Sequence, residues 1–212
     1  MLTFNPHVAA TADQVSSAIC ESGKYIGTIT RAEKLLSMAG SQGLGLSFRS
    51  DHGGTADYLD LYTVNGKGED LPSIKAVQAI LGCLGLRQAN EGKIECEKYD
   101  KATRQRKKVV VDGYPDLVGK RIGLLLQKEI STNNKTGEDA DRMIVFGVFQ
   151  HDTELTVSEI LARKTHPETL EKMLESLTAR PVRDSRKKSS SHTQSAEHKS
   201  SGFEDLDDDI PF

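Results

Sequence analysis

Apolar and polar residues alternate with a period of two where the first clear pattern begins. Lys24–Arg31 sets Ile26, Thr28 and Thr30 on one side and Tyr25, Gly27 and Ile29 on the other, the signature of a β-strand. A glycine cluster over 39–45 leads into a second strand, Leu44–Arg49, in which Leu44, Leu46 and Phe48 share a face. No helix and no Lys-Ser/Thr pair follow that cluster, so it reads as a turn and not as a phosphate cradle. Asp51–Gly54 is a hairpin turn into a third strand, Ala56–Val64, with Tyr58, Asp60 and Tyr62 facing away from Leu59, Leu61 and Thr63. Asn65–Gly68 closes this meander.

The period then becomes helical. Ile74, Val77, Ile80, Leu81 and Leu84 form one stripe, preceded by Pro72 and stopped by Gly85. A polar segment over 87–108 follows, and within it 93–98 and 107–111 can pair as a hairpin arm. Lys120–Glu129 and Arg142–Phe149 read as a fourth and a fifth strand. Thr156–Glu159 has the form of a capping box, and Pro167–Leu177 carries Leu170, Met173, Leu174 and Leu177 at helical spacing. Residues 1–20 read equally as a lead-in arm or as a short helix over 11–20. Every periodicity stops at Arg180, and Ser, Lys, Arg, His and Gln dominate to Gly202.

Three strands, a helix and two more strands predict a mainly β fold: a five-stranded OB-fold (Greek-key) barrel with a helix between strands 3 and 4, and a C-terminal helix. Gly27, Gly45, Gly123 and Gly147 fall inside strands, as tight barrel bends require. An unspecific α+β domain is the alternative. Residues 1–179 form the domain, 180–202 a flexible linker, and 203–212 a disordered acidic tip.

Charge sharpens this division. The chain of 212 residues has a net charge of −3, while Glu204, Asp205, Asp207, Asp208 and Asp209 alone carry −5. Residues 1–202 therefore stand at +2, the difference between those figures. A mildly basic body with an acidic end suits a polyanion-binding domain. The strongest basic run is 98–108, with six Lys or Arg against one Asp. Cys20, Cys83 and Cys96 match no metal spacing and read as free thiols in a reducing cytosol. The first residues lack a basic stretch followed by an apolar run, and no apolar stretch approaches the ~18 residues of a membrane helix. A cytoplasmic protein with no membrane partner is expected.

Binding single strands without reading sequence requires cations for phosphates and exposed rings for bases. Tyr58 and Tyr62 share a face with Asp60 between them, Tyr25 lies beside Lys24, and Tyr99 sits in the basic segment. For Tyr58 and Tyr62 a binding face and a structural role are both open; Phe48 and Phe146 read as core. Arg31, Lys34, Arg49, Arg104, Arg106, Lys107, Lys108 and Arg121 are the candidate phosphate contacts. His52, His151 and His166 show no metal-ligand spacing. Asp57 and Asp60 fall on opposite strand faces, and no nucleophile elbow or Walker sequence is present. A non-catalytic protein without cofactor or metal is expected.

The end of the chain, Phe203–Phe212, places its five carboxylates before Ile210-Pro211-Phe212. Asp207-Asp208-Asp209-Ile210-Pro211-Phe212 resembles the C-terminal peptide of bacterial single-stranded-DNA-binding proteins, which also follows a disordered linker. In element order and general character the body looks like the divergent single-strand binders of tailed bacteriophages. The N-terminal strand sequence of the bacterial family and its stacking tryptophans are not found here, since the chain has no Trp.

The resemblance implies a protein that coats single-stranded DNA in replication, recombination and repair. It implies that the tip recruits host or phage replication and repair enzymes, through an apolar pocket rimmed by basic residues. Self-association on DNA stays open. Two other readings use the same tail: an adaptor or inhibitor that captures a host DNA-processing enzyme, and a single-strand-annealing recombination protein.

Overall fold

The computed structural model describes residues 18–100, 105–133 and 137–186, with the backbone alone at 99, 100, 105 and 106. Among these residues eight strands form one sheet: β1 (Gly23–Leu36), β2 (Gln42–Ser50), β3 (Thr55–Val64), β4 (Gly92–Asp100), β5 (Gln105–Gly113), β6 (Arg121–Thr132), β7 (Asp139–Phe149) and β8 (Val182–Asp184). Among the described residues three α-helices accompany them: α1 (Ile74–Cys83), α2 (Val157–Leu161) and α3 (Glu168–Ala179). None is long and apolar enough to cross a membrane. The expected helix over 11–20 falls almost wholly outside the described residues. At its end Ala18 makes an isolated parallel bridge to Thr55, the Ile19 N–H donating to the Thr55 carbonyl at 2.8 Å.

Antiparallel ladders run in the order β3-β2-β1-β6-β7. All five expected strands are present in that path; each extends past at least one expected end, β1 by five residues to Leu36, while β6 begins one residue later than expected, at Arg121. The strand count differs from expectation for two reasons. The 93–98 and 107–111 segments do pair, as β4 and β5, and join β1 through the single register pair Glu33–Gly113. Three residues of the expected linker, Val182–Asp184, add β8 in parallel to β6. Arg186 fastens this end by ion pairs to Asp184 (2.6 Å) and Asp139 (2.9 Å). Among the described residues β7 has no ladder except with β6, so the sheet is open between β3 and β7. Helix α1 packs against both of these strands.

The inner face of the sheet holds the main core: Ile29 and Ala32 of β1, Leu44, Leu46 and Phe48 of β2, Ala56, Leu59 and Leu61 of β3, and Ile122, Leu124 and Leu126 of β6. Ile80 and Cys83 of α1 complete it; of the expected stripe Ile80 is buried, and Val77, Leu81 and Leu84 pack partly buried against the core. The helix ends in a Schellman arrangement, with Leu86 N–H donating to the Leu81 carbonyl and Gly85 N–H to that of Gly82. Burial pushes the Cys83 thiol up to about 12, and the thiolate is suppressed. Cys96 is also buried, whereas Cys20 is exposed.

A smaller core lies on the outer face of the β6 end. Leu125, Phe149, Leu170 and Leu177 are all buried there, with α3 as the roof. Gly123 makes this possible, because a Cβ at that position would collide with the Phe149 ring. Gly27 serves a comparable role against the backbone of Arg49. The expected stripe of α3 is confirmed by burial of Leu170 and Leu177 and by the packing of Met173 and Leu174.

The capping box before α2 does more than end a helix. Glu159 is 1% exposed; its Oε2 accepts from the Thr156 N–H at 2.9 Å, and its Oε1 from the Thr169 N–H at 2.6 Å. Burial alone would raise this carboxyl, but the hydrogen bonds from Thr169 and Thr156 win and hold it at about 2. Its folded value is below its unfolded one, so its stabilisation is complete above the ordinary carboxylate range. That contribution is lost as pH falls through about 4 towards 2. Replacing Glu159 by Gln is expected to cost about 1–2 kcal/mol at neutral pH. In urea melts between pH 2 and 7 the variant should have a flatter acid limb than the native chain. Parallel acid limbs would refute the assignment.

Candidate nucleic-acid interface

Two β-bulges face one residue, Ser47. On one side the register steps from Ile29–Phe48 to Arg31–Ser47, leaving Thr30 over. On the other it steps from Leu46–Leu59 to Phe48–Ala56, so that Asp57 and Tyr58 stand opposite a single position. The physical effect is the same on both strands. Ile29 and Ala32, three apart, both reach the core, as do Ala56 and Leu59. The residues between them are turned to the outer face.

Tyr58 is one of those residues. Its φ is 59°, a left-handed conformation that costs a bulky side chain about 1–3 kcal/mol. The residue is 54% exposed, and its ring lies over the Arg31 guanidinium at 5.0 Å. Arg31 is itself 4% exposed. Its terminal nitrogens bond Glu33 Oε2 at 3.1 Å and the Leu46 carbonyl at 3.3 Å, while its Nε–H has no partner. Glu33 Oε1 accepts from Lys98 Nζ at 2.6 Å, which ties β4 to the same cluster.

Tyr62 lies along the same strand face, opposite Gly43, and Asp60 lies opposite Gly45. Neither glycine offers a side chain to cover its neighbour. Partial burial pushes the Asp60 carboxyl up, against the opposing pull of Arg31. A row of register partners, Thr55–Arg49–Thr28–Arg121, crosses β3, β2, β1 and β6. Its two arginines are two strands apart, about 10 Å by ordinary strand spacing. Arg49 is exposed and holds no ion pair among the described residues; Arg121 pairs with Asp51. Leu36 and Met38 are exposed at the β1–β2 turn.

Arg31, Arg49, Tyr58, Tyr62 and Arg121 are thus brought to one outer surface. Lys107 and Lys108 stand exposed on β5 of the neighbouring hairpin, Lys108 paired to Glu95 at 3.1 Å. Tyr99 and Arg106 belong to that hairpin, but only their backbone is described, and Arg104 lies outside the described residues. Two candidates are elsewhere. The Tyr25 ring packs on the main core and its hydroxyl donates to the Glu21 carbonyl at 2.9 Å. Lys34 pairs with Glu91 at 2.6 Å and lines an apolar cleft with Leu44, Val77 and Tyr114, because the β1 bulge puts it in register with core-facing Leu44.

Ser47, Glu33 and Lys98 were not among the sequence-derived candidates. The one signal for them is the misfit of strict alternation around Thr30 and Asp57, where the core positions come three apart. The tip Asp207, Asp208, Asp209, Ile210, Pro211 and Phe212 lies outside the described residues. No family model matches the chain, and no curated protein matches it in sequence.

Proposed function

We propose that this protein binds single-stranded DNA without catalysis and largely without regard to sequence, on the outer face of β1–β3. The observation that carries this reading is Tyr58: an exposed ring, held in a costly backbone conformation, on a buried arginine. Strain of that kind persists only where the surrounding fold enforces it, and it concentrates at functional sites. A ring so placed offers a π-face to any base, while Arg49 and the β5 lysines offer charge to the phosphates.

The path β3-β2-β1-β6-β7, with α1 between the third and fourth of its strands in sequence, is the element order of an OB-fold. In that fold the face of strands 2 and 3 is the oligonucleotide surface. Tyr58 and Tyr62 lie on the corresponding face here. The acidic tip supports the second half of the proposal, recruitment of replication, recombination and repair proteins in a bacterial or phage-infected cytoplasm.

A salt titration with unlabelled single- and double-stranded oligonucleotides tests this. If the face engages roughly three phosphates, log K should fall against log salt with a slope of about −2 for single strands. Removing residues 203–212, with their five carboxylates, should tighten binding at low salt by relieving competition for the basic surface. Absence of single-strand binding at low salt would remove the proposal. Unchanged affinity in the truncated chain would remove only the competition.

A further inference from the structure

Tyr58 differs from an ordinary stacking ring in what lies against it. The Arg31 guanidinium sits over one face of the ring, 5.0 Å from its centre. Arg31 is buried and Tyr58 half exposed, so that face is turned into the protein and the other is left to solvent. The guanidinium keeps its charge at any working pH. Glu33 does not cancel that charge, because its carboxylate is shared: Oε2 meets Arg31 at 3.1 Å and Oε1 meets Lys98 at 2.6 Å. A cation taken out of water in this way is weakly screened. It is held by the negative face of the ring and draws π-density towards itself. The outward face of Tyr58 is therefore poorer in electrons than that of a free tyrosine. Among the described residues no cation lies over Tyr62, so only one ring of the pair is tuned.

Resting on the single-strand reading above, we infer that Arg31 sets a base preference through Tyr58: the base stacked on this ring is best an electron-rich purine, guanine above all. Arg31 touches no base and acts only through the ring. Modest preferences of single-strand binders arise from stacking strength, and an electron-poor face stacks best on an electron-rich one. Binding is then tolerant of sequence along most of the strand and selective at one step.

The test uses the full chain and three thymine oligonucleotides, each with one central purine: hypoxanthine, guanine or 7-deazaguanine, in order of rising electron density. Native affinity should rise about threefold across the series, the size of a modest cation–π effect. Readout by hydrogen bonding predicts the reverse for 7-deazaguanine, which has lost the N7 acceptor. Arg31→Met leaves Glu33 paired to Lys98 and should bring the three affinities together. Glu33→Gln removes the carboxylate that opposes Arg31 and should widen their spread. Ratios between the strands are read, so a uniform gain or loss from altered charge or stability cancels; a merely structural Arg31 would leave them unchanged. If Arg31→Met does not fold, the native series and Glu33→Gln decide. Equal native affinities, a weaker 7-deazaguanine strand, or an unchanged spread in either folded variant would overturn the inference and leave the single-strand reading intact. Failure of the native chain to bind any of the three would overturn both.

Discussion

Replacing Tyr58 and Tyr62 together by alanine is expected to weaken binding to a single-stranded oligonucleotide by about 2–6 kcal/mol, from about 1–3 kcal/mol for each stacked base. At the upper end binding would be lost at micromolar protein. Tyr58→Phe should retain most of the affinity, because the stacking face and its contact with Arg31 survive. Tyr58→Gly separates function from stability. Glycine adopts a φ of 59° without strain, so the folded state should gain in urea melts while binding falls. Fluorescence anisotropy at low salt, with melts of each variant, measures both effects. Native affinity in the double variant would dismiss this face as the stacking surface.

The second large effect lies on the opposite half of the sheet. Phe149 is fully buried between Gly123 and the roof of α3. Its truncation to alanine should cost about 3–5 kcal/mol, a large part of the stability of an ordinary domain. The urea midpoint should fall accordingly, with the slope of the transition preserved. The cavity would open under α3, away from Tyr58 and Arg49, so oligonucleotide affinity below the melting temperature should be retained. A matching loss of affinity would show that the two outer surfaces are coupled.

Strand positions were legible because a half-buried strand writes its burial into alternate residues. Leu44, Leu46 and Phe48 face the core as their spacing requires, and Tyr58 and Tyr62 face away from it. The hairpin of β4 and β5 was legible as a pairing, though its attachment to β1 at Glu33 was not. Arg31 shows where the reading stops. Alternation sets it on the face of Ile29, and a bulge of one residue moves it to the other.

The sequence by itself determined the elements, the basic body with its acidic end, and the two tyrosines of the outer face, since period, charge and turn chemistry are local. Only the tertiary structure decided that Tyr25 and Lys34 belong elsewhere, that residues 182–184 extend the sheet, and that Ser47 sits between two bulges under a strained tyrosine. Those outcomes depend on which backbones meet and in what register, and register is settled by packing between strands distant in the chain.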